Sequence, residues 1–173
     1  MRAPSPSHRR RRRRDAPSLA AARHPSACSS PTGWRGKYLF DNALGFFAGA
    51  RHLVSASDPH SRENFLQLIG CTVELSLKSF LHFSGWSDDR CRDEIRHDLV
   101  KALVAAERLG FHPRHPDTRM LTRILSPYYR GHHTRELARR KATPLSSERA
   151  LRAAEGLLDD VLAAVAERPS SSG

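Results

Sequence analysis

A helical repeat of apolar side chains in the middle of the chain constrains the fold most strongly. Between Arg62 and Phe83, large apolar residues recur at spacings of three and four. Residues spaced in this way share one face of an α-helix, because the helix has about 3.6 residues per turn. The segment is therefore predicted to be an amphipathic helix that buries one stripe in a core. The stripe consists of Ile69, Val73, Leu77 and Phe80.

The same period recurs in four other segments, and no segment shows the alternation typical of a β-strand. The sequence therefore predicts an all-α bundle of four to five helices. The stripes predicted to face the core include Leu44 and Phe46 near the amino end and Leu162 near the carboxyl end. The additional helices are predicted over Tyr38–Val54, from Ser87 to Leu109, over 117–140 with breaks at Ser126-Pro127 and at Gly131, and from Ser146 or Ser147 onward.

Glycines and short polar side chains predict where these helices begin and end. Ser61, Ser87 and Asp117 are each placed to accept a hydrogen bond from the first turn of the helix that follows. Gly85 and Gly110 are placed to end helices in the left-handed backbone conformation that glycine adopts readily.

Positive charge is concentrated in two parts of the chain. Of the formal net charge of +11, residues 1–33 contribute +7 from eight basic side chains and one acidic side chain. Residues 111–152 contribute another +7, residues 34–110 balance, and residues 153–173 carry −3. A basic stretch favours a polyanion such as nucleic acid as partner. It would equally suit an interface between helices of opposite charge.

The first 33 residues are predicted to form a disordered tail, because five prolines, many serines and the run Arg9–Arg14 leave too little apolar surface to bury. Their longest apolar stretch is too short for a secretory signal. Such a tail is either inert or an arm that binds polyanions. The predicted organisation is a tail over 1–33, a helical bundle over 34–168 and a disordered end over 169–173.

The cysteines and the apolar runs indicate the cellular compartment of the protein. Cys28, Cys71 and Cys91 are odd in number and show no CxxC or zinc-ligand spacing. They favour a reducing cytoplasm over a disulfide scaffold. No apolar run reaches the length of a membrane span, so a transmembrane protein is excluded. We expect neither a metal ion nor a small-molecule cofactor, because the histidines lack acidic or thiol partners at ligand spacing.

One ordered set of motifs resembles a known family. Residues 74–81 read ELSLKSFL, Gly85 follows, and residues 97–99 read HDL. This order and spacing resemble the HEPN superfamily, and the resemblance covers roughly residues 35–165. It implies a helical fold, and many HEPN proteins are metal-independent ribonucleases that dimerise. From the residues alone, Glu74 and Lys78 are a structural ion pair one helical turn apart.

The resemblance also implies a catalytic arginine followed by a histidine after four to six residues. Arg92 and Arg90 precede His97 with four and six intervening residues. In a regular helix Arg90 would nearly share a face with His97, whereas Arg92 would lie about 140° away. The chain contains four such spacings, and its composition predicts about four by chance. Arg90, Arg92 and His97 are the candidate catalytic residues.

A second group of candidates lies in the basic stretch. Arginines hold phosphates and tyrosine rings stack on bases, so this stretch predicts contact with single-stranded nucleic acid. The alternative is that the tyrosines pack inward and the basic face is only solvated. The candidate nucleic-acid-binding residues are Arg119, Arg123, Tyr128, Tyr129 and Arg130.

Together these patterns predict a HEPN-like cytoplasmic protein that binds or cleaves RNA and forms a homodimer or pairs with a partner protein. By family analogy, the setting is prokaryotic defence or a toxin–antitoxin system. The main alternative is a non-catalytic scaffold or partner-binding module. A DNA-binding helix-turn-helix starting at Thr134 is less well supported, because the helix after it ends acidic.

Overall fold

The computed structural model describes residues 31–55, 59–140 and 145–167, with the side chains of 31–33 and 59 left aside. These residues form seven α-helices and no strand, which confirms the predicted all-α bundle. Five helices have ten or more residues, and two are short. The helices are α1 (Pro31–Leu53), α2 (Pro59–Phe83), α3 (Asp88–Glu94), α4 (Leu99–Arg108), α5 (Thr118–Arg130), α6 (Thr134–Arg139) and α7 (Ser147–Ala166).

The predicted tail and the predicted carboxyl-terminal end lie outside the described residues, apart from 31–33. Because α1 begins at Pro31, the helix includes three residues that the sequence assigned to the tail. None of the described helices combines the length and the apolar character needed to cross a membrane.

Helix α2 is the centre of the bundle and packs against α1, α4, α5, α6 and α7. Its predicted apolar stripe is fully buried, as expected. Since neighbours surround the helix, its small polar residues are buried too, and their hydroxyls donate to backbone carbonyls. Ser79 donates to the carbonyl of Gly36 in α1 at 2.8 Å, and the others donate within α2. Thr72 donates to the carbonyl of Leu68 at 2.9 Å, and Ser76 donates to the carbonyl of Thr72 at 2.7 Å.

The prediction of one helix from Ser87 to Leu109 is wrong. The chain leaves the helix after Glu94, and Arg96 adopts a left-handed backbone with φ of 53°. Asp98 then caps a new helix, because its carboxylate accepts a hydrogen bond from the backbone N–H of Lys101 at 3.1 Å. The comparison of helix faces for Arg90 and His97 therefore does not apply, since the two residues do not share a helix.

Several predicted helix boundaries are confirmed, and two of them lie on the amino-terminal side of the break between α3 and α4. Gly85 has φ of +89° and follows α2, and the Ser87 hydroxyl accepts from the N–H of Arg90 at 3.2 Å. Gly110, with φ of +88°, follows α4 in the same way. At the last helix, Ser146 rather than Ser147 is the cap, and its hydroxyl accepts from the N–H of Arg149 at 3.3 Å.

Two other boundary predictions are wrong, and a third is confirmed in position only. Helix α2 begins at Pro59, which suits a first helical position, so Ser61 lies inside the helix instead of capping it. Asp117 is the N-cap residue of α5, as predicted, but its side chain makes no cap bond and is held by Arg149 at 2.7 Å. Helix α5 continues through Ser126 and Pro127, so the predicted break there is wrong, and the Ser126 hydroxyl donates to Asp98 instead of capping a helix. The helix ends at Arg130, directly before the predicted break at Gly131, which is confirmed.

Three apolar residues expected in the core are exposed. Helix α1 buries Phe47 and Ala50, as predicted, and also Ala43, whereas Leu44 and Phe46 are exposed. Leu162 of α7 is 58% exposed, whereas its neighbour Val161 is buried. The predicted stripes were right in period but too wide, so an apolar patch remains on the surface of α1 and α7.

Candidate functional site

The carboxylate of Glu74 is the centre of a polar cluster between α2, the α3–α4 turn and the end of α5. It is 5% exposed and accepts from Lys78 Nζ at 2.6 Å and from the Tyr129 hydroxyl at 2.7 Å. Its third partner is His97, whose Nδ1 lies 3.1 Å from Oε2. Three donors thus satisfy a buried carboxylate that would otherwise be costly to bury. We call Glu74, Lys78, His97, Tyr129 and His132 the histidine cluster.

The charge state of Glu74 fixes the roles of its neighbours. Burial favours the neutral acid and acts to raise the pKa of Glu74. The hydrogen bond and the charge of Lys78, and the hydrogen bonds from Tyr129 and His97, outweigh burial and hold this pKa below its usual value. Burial, and then the Glu74 charge, raise the pKa of Tyr129, so its hydroxyl stays a donor. Because an ionised carboxylate only accepts, Nδ1 of His97 donates and Nε2 is left to exchange a proton.

Tyr129 is held against the backbone of α2. Its ring packs on Gly70, where a Cβ atom would come within 2.3 Å of the ring. Its hydroxyl also lies 3.4 Å from Cys71 Sγ. The ring is buried, so Tyr129 positions Glu74 from the core side of the cluster.

His97 and His132 present their imidazoles to solvent beside each other. The ring centroids are 5.9 Å apart with an interplanar angle of 62°, and the His97 side chain is 53% exposed. Both are placed by left-handed backbone: φ is 57° at His132 itself and 53° at Arg96, directly before His97. Non-glycine residues adopt this conformation at a cost of about 1–3 kcal/mol, and such residues cluster at functional sites.

Asp98, the residue after His97, binds the guanidinium of Arg130. Besides capping α4, its carboxylate accepts from Ser126 Oγ at 3.0 Å and from Arg130 Nη1 at 2.8 Å. Burial favours the neutral acid, but the bonds from Lys101, Ser126 and Arg130 outweigh it and lower the pKa of Asp98. The two polar residues of the HDL motif therefore point to different partners, with His97 on Glu74 and Asp98 on Arg130.

The structure separates the two candidate catalytic arginines. Arg90 stacks on Trp86, 3.8 Å from the ring centroid, and pairs with Glu94 at 2.8 Å in a groove between α3 and α4. Arg92 pairs with Asp89 at 2.7 Å and lines a different groove, bounded by α1, α2 and α3, together with His97.

Sequence reasoning missed His132 as the neighbour of His97. The residues are adjacent only because the chain turns left-handed after α5, and no spacing rule encodes that turn. The one local signal is Gly131, which ends α5 directly before two histidines.

The candidate nucleic-acid residues divide between surface and core. Arg119, Arg123 and Arg130 share one face of α5, since their spacings of four and seven residues bring them into line. All three are exposed over a length of about 16 Å, and Arg119 is paired with Glu107 at 2.7 Å. Tyr129 is buried, and Tyr128 is half-buried beneath Arg140 at 5.2 Å. We call the three arginines the α5 basic face.

The described residues offer neither a metal site nor a reactive thiol. Within 31–55, 59–140 and 145–167, no three histidine, cysteine or acidic side chains are grouped closely enough to hold a metal ion. Cys71 and Cys91 are free thiols. Burial raises the pKa of Cys71 and raises that of Cys91 to about 11, so both are protonated at neutral pH. Cys28 lies outside the described residues.

Comparison of the chain with models of protein families, with curated proteins and with solved structures finds no match.

Proposed function

We propose that the protein binds RNA and cleaves it without a metal ion, with His97 and His132 as the catalytic residues. The observation that carries the proposal is a pair of solvent-facing imidazoles 5.9 Å apart, one of them anchored by a buried carboxylate. Imidazole is the side chain best suited to exchange protons near neutral pH. Two imidazoles at this spacing can flank one phosphodiester group through hydrogen bonds of about 2.7–2.9 Å.

The chemistry assigned to the pair is transfer of the phosphoryl group within the RNA backbone. Nε2 of His97 takes the proton of the ribose 2′-hydroxyl, and the 2′-oxygen attacks the adjacent phosphorus. The bond from phosphorus to the 5′-oxygen breaks, and protonated His132 gives its proton to that oxygen. The products are a 2′,3′-cyclic phosphate and a free 5′-hydroxyl. The substrate must therefore be RNA, because DNA lacks the nucleophile.

Glu74 and Arg130 have supporting roles in this scheme. Glu74 holds the His97 ring in one orientation and stabilises the positive charge that the ring gains. Arg130, fixed by Asp98 at 2.8 Å with its side chain 60% exposed, is placed to offset charge that develops on the phosphate. The α5 basic face would extend this contact to neighbouring phosphates, so binding should weaken as salt rises.

The test is an RNase assay on the full chain in EDTA. His97→Gln keeps a donor for Glu74 but cannot exchange a proton, and His132→Asn suits the left-handed backbone at that position. Each should reduce the cleavage rate by at least about a hundredfold. His133→Asn is the matched control, because His133 is adjacent but faces Glu136 at 3.4 Å. Wild-type cleavage by His97→Gln would refute the proposed site.

A second proposal concerns self-association through the exposed apolar patch. Leu44 and Leu162 border a groove between α1 and α7. Lys37 and Asp41 on its rim form an ion pair with each other at 2.6 Å, so the rim carries one charge of each sign. A rim of this kind is self-complementary about a twofold axis, which suits a homodimer. Leu162→Glu should convert a dimer into a monomer in light scattering. A wild-type chain that is monomeric at high concentration would contradict this proposal.

The resemblance to HEPN proteins suggests where such an activity would operate. We place it in the cytoplasm, in prokaryotic defence or a toxin–antitoxin system, as an extension of the same proposal. Detection of the chain together with a partner that blocks the RNase activity would support this setting.

A further inference from the structure

A groove bounded by α1, α2 and α3 leads away from His97. Leu39 of α1 and Leu75 of α2 are half-buried and supply apolar surface along it. Lys78, Arg92 and Arg96 line it with positive charge. The groove therefore combines an apolar surface with cations, and it opens at the proposed catalytic histidine.

The acidic side chains of this groove are already engaged. Asp88 is paired with Arg35 and lies 3.1 Å from Nε2 of His82. Asp93 lies 3.7 Å from the guanidinium of Arg92. Arg96 is exposed at the end nearest His97, where its left-handed backbone turns the chain. Two of the cations are engaged as well, since Lys78 pairs with Glu74 and Arg92 pairs with Asp89. The positive charge next to His97 therefore comes mainly from Arg96.

We propose that this groove is a nucleotide subsite, which holds the nucleotide adjacent to the bond cleaved at His97. The base lies against Leu39 and Leu75, and its phosphate is held by Arg92 and Arg96. The groove is open at the surface, and a base reaches Leu39 and Leu75 only when it is unpaired, because the faces of paired bases are stacked inside a duplex. The substrate is therefore single-stranded RNA. The inference rests on the proposed cleavage at His97, but binding to the groove can be measured without cleavage.

Two arginines of α3 provide a matched pair for the test. Arg92 and Arg90 are both exposed and both paired with a carboxylate, but only Arg92 lines this groove. The probe is a fluorescent single-stranded 2′-O-methyl RNA, which cannot be cleaved. Arg92→Ala should weaken binding of the probe by about tenfold, the loss expected for one charged hydrogen bond. Arg90→Ala should bind the probe as the wild type does.

Arg96→Gly removes a charge from the groove without harming the fold, because glycine adopts φ of 53° without strain. Its thermal stability should equal or exceed that of the wild type, while binding of the probe weakens. A duplex of the same sequence should fail to compete with the single strand.

Wild-type affinity in both Arg92→Ala and Arg96→Gly, or equal competition by the duplex, would overturn the subsite. The proposed cleavage fails on a different result, namely unchanged cleavage by His97→Gln. Since the probe is not cleaved, loss of one proposal leaves the evidence for the other intact.

Discussion

Tyr129 and Glu74, 55 residues apart in the chain, are joined by a 2.7 Å hydrogen bond inside the bundle. The tyrosine ring rests on α2, and its hydroxyl meets the same carboxylate that orients His97. The packing of α5 on α2 therefore determines where the candidate catalytic imidazole lies.

Tyr129→Phe removes one donor from the buried carboxylate and keeps the ring. We expect a loss of about 1–3 kcal/mol in the free energy of unfolding, the cost of an unsatisfied buried polar group. Cleavage should also fall, because Glu74 is less firmly held. Urea denaturation measures the first effect, and Tyr128→Phe is the control. An unchanged unfolding midpoint would contradict this account of the cluster.

Substitution by alanine at two glycines inside helices should change the stability of the protein in opposite directions. At Gly70 the new methyl group would lie 2.3 Å from the Tyr129 ring, so Gly70→Ala should destabilise the protein by about 2 kcal/mol or more. At Gly45 nothing lies within 4 Å, and Gly45→Ala should stabilise it by about 0.5–1 kcal/mol. Thermal denaturation of the two variants compares them directly. Equal shifts would mean that Tyr129 does not rest on α2.

The stability of the protein should fall in acid partly because of Glu74. Its folded pKa is lowered, so its contribution is complete above the ordinary glutamate pKa of about 4.3 and is lost as the pH falls through the folded pKa. Glu74→Gln should therefore flatten the stability profile on the acid side, while lowering stability at pH 7. Unfolding measured from pH 3 to pH 7 tests this, with the exposed Glu155→Gln as control. A profile as steep as that of the wild type would exclude Glu74 as a source of the loss of stability in acid.

Asp98→Ala removes a helix cap and the partner of Arg130 in one step. Loss of a cap costs about 0.5–2 kcal/mol, and the two other donors to Asp98 lose their acceptor as well. We expect a larger loss than for Ser87→Ala, which removes a single cap bond from α3. Chemical denaturation of both variants provides the comparison, and the reverse order would argue against a buried network at Asp98.

The bundle could be predicted from the sequence because its signals are local. The stripe on α2 follows from periodicity. The ends of α2 and α4 follow from the backbone preference of the single glycine after each helix. The break before α4 was missed because its cause is distant: Asp98 leaves the helix to meet Ser126 and Arg130. Leu162 was misplaced because period alone does not show how wide the buried side of a helix is.

The candidate site was only partly predictable for the same reason. His97 was found from a motif, and Arg130 from the basic stretch. Their association with His132 requires the two left-handed residues and the Tyr129 contact, which only the folded chain brings together.

His132 lies in the three-residue link between α5 and α6, and this position has a consequence for heating. Helix α6 has six residues and is attached to the bundle through Leu137 and Ala138. So short a helix has few internal hydrogen bonds, and it is expected to open locally before the rest of the bundle. Local melting of α6 would release His132 while α1 and α2 stay folded. The proposed cleavage would then be lost at a lower temperature than helical structure, and α6 would be among the first segments to exchange its amide hydrogens.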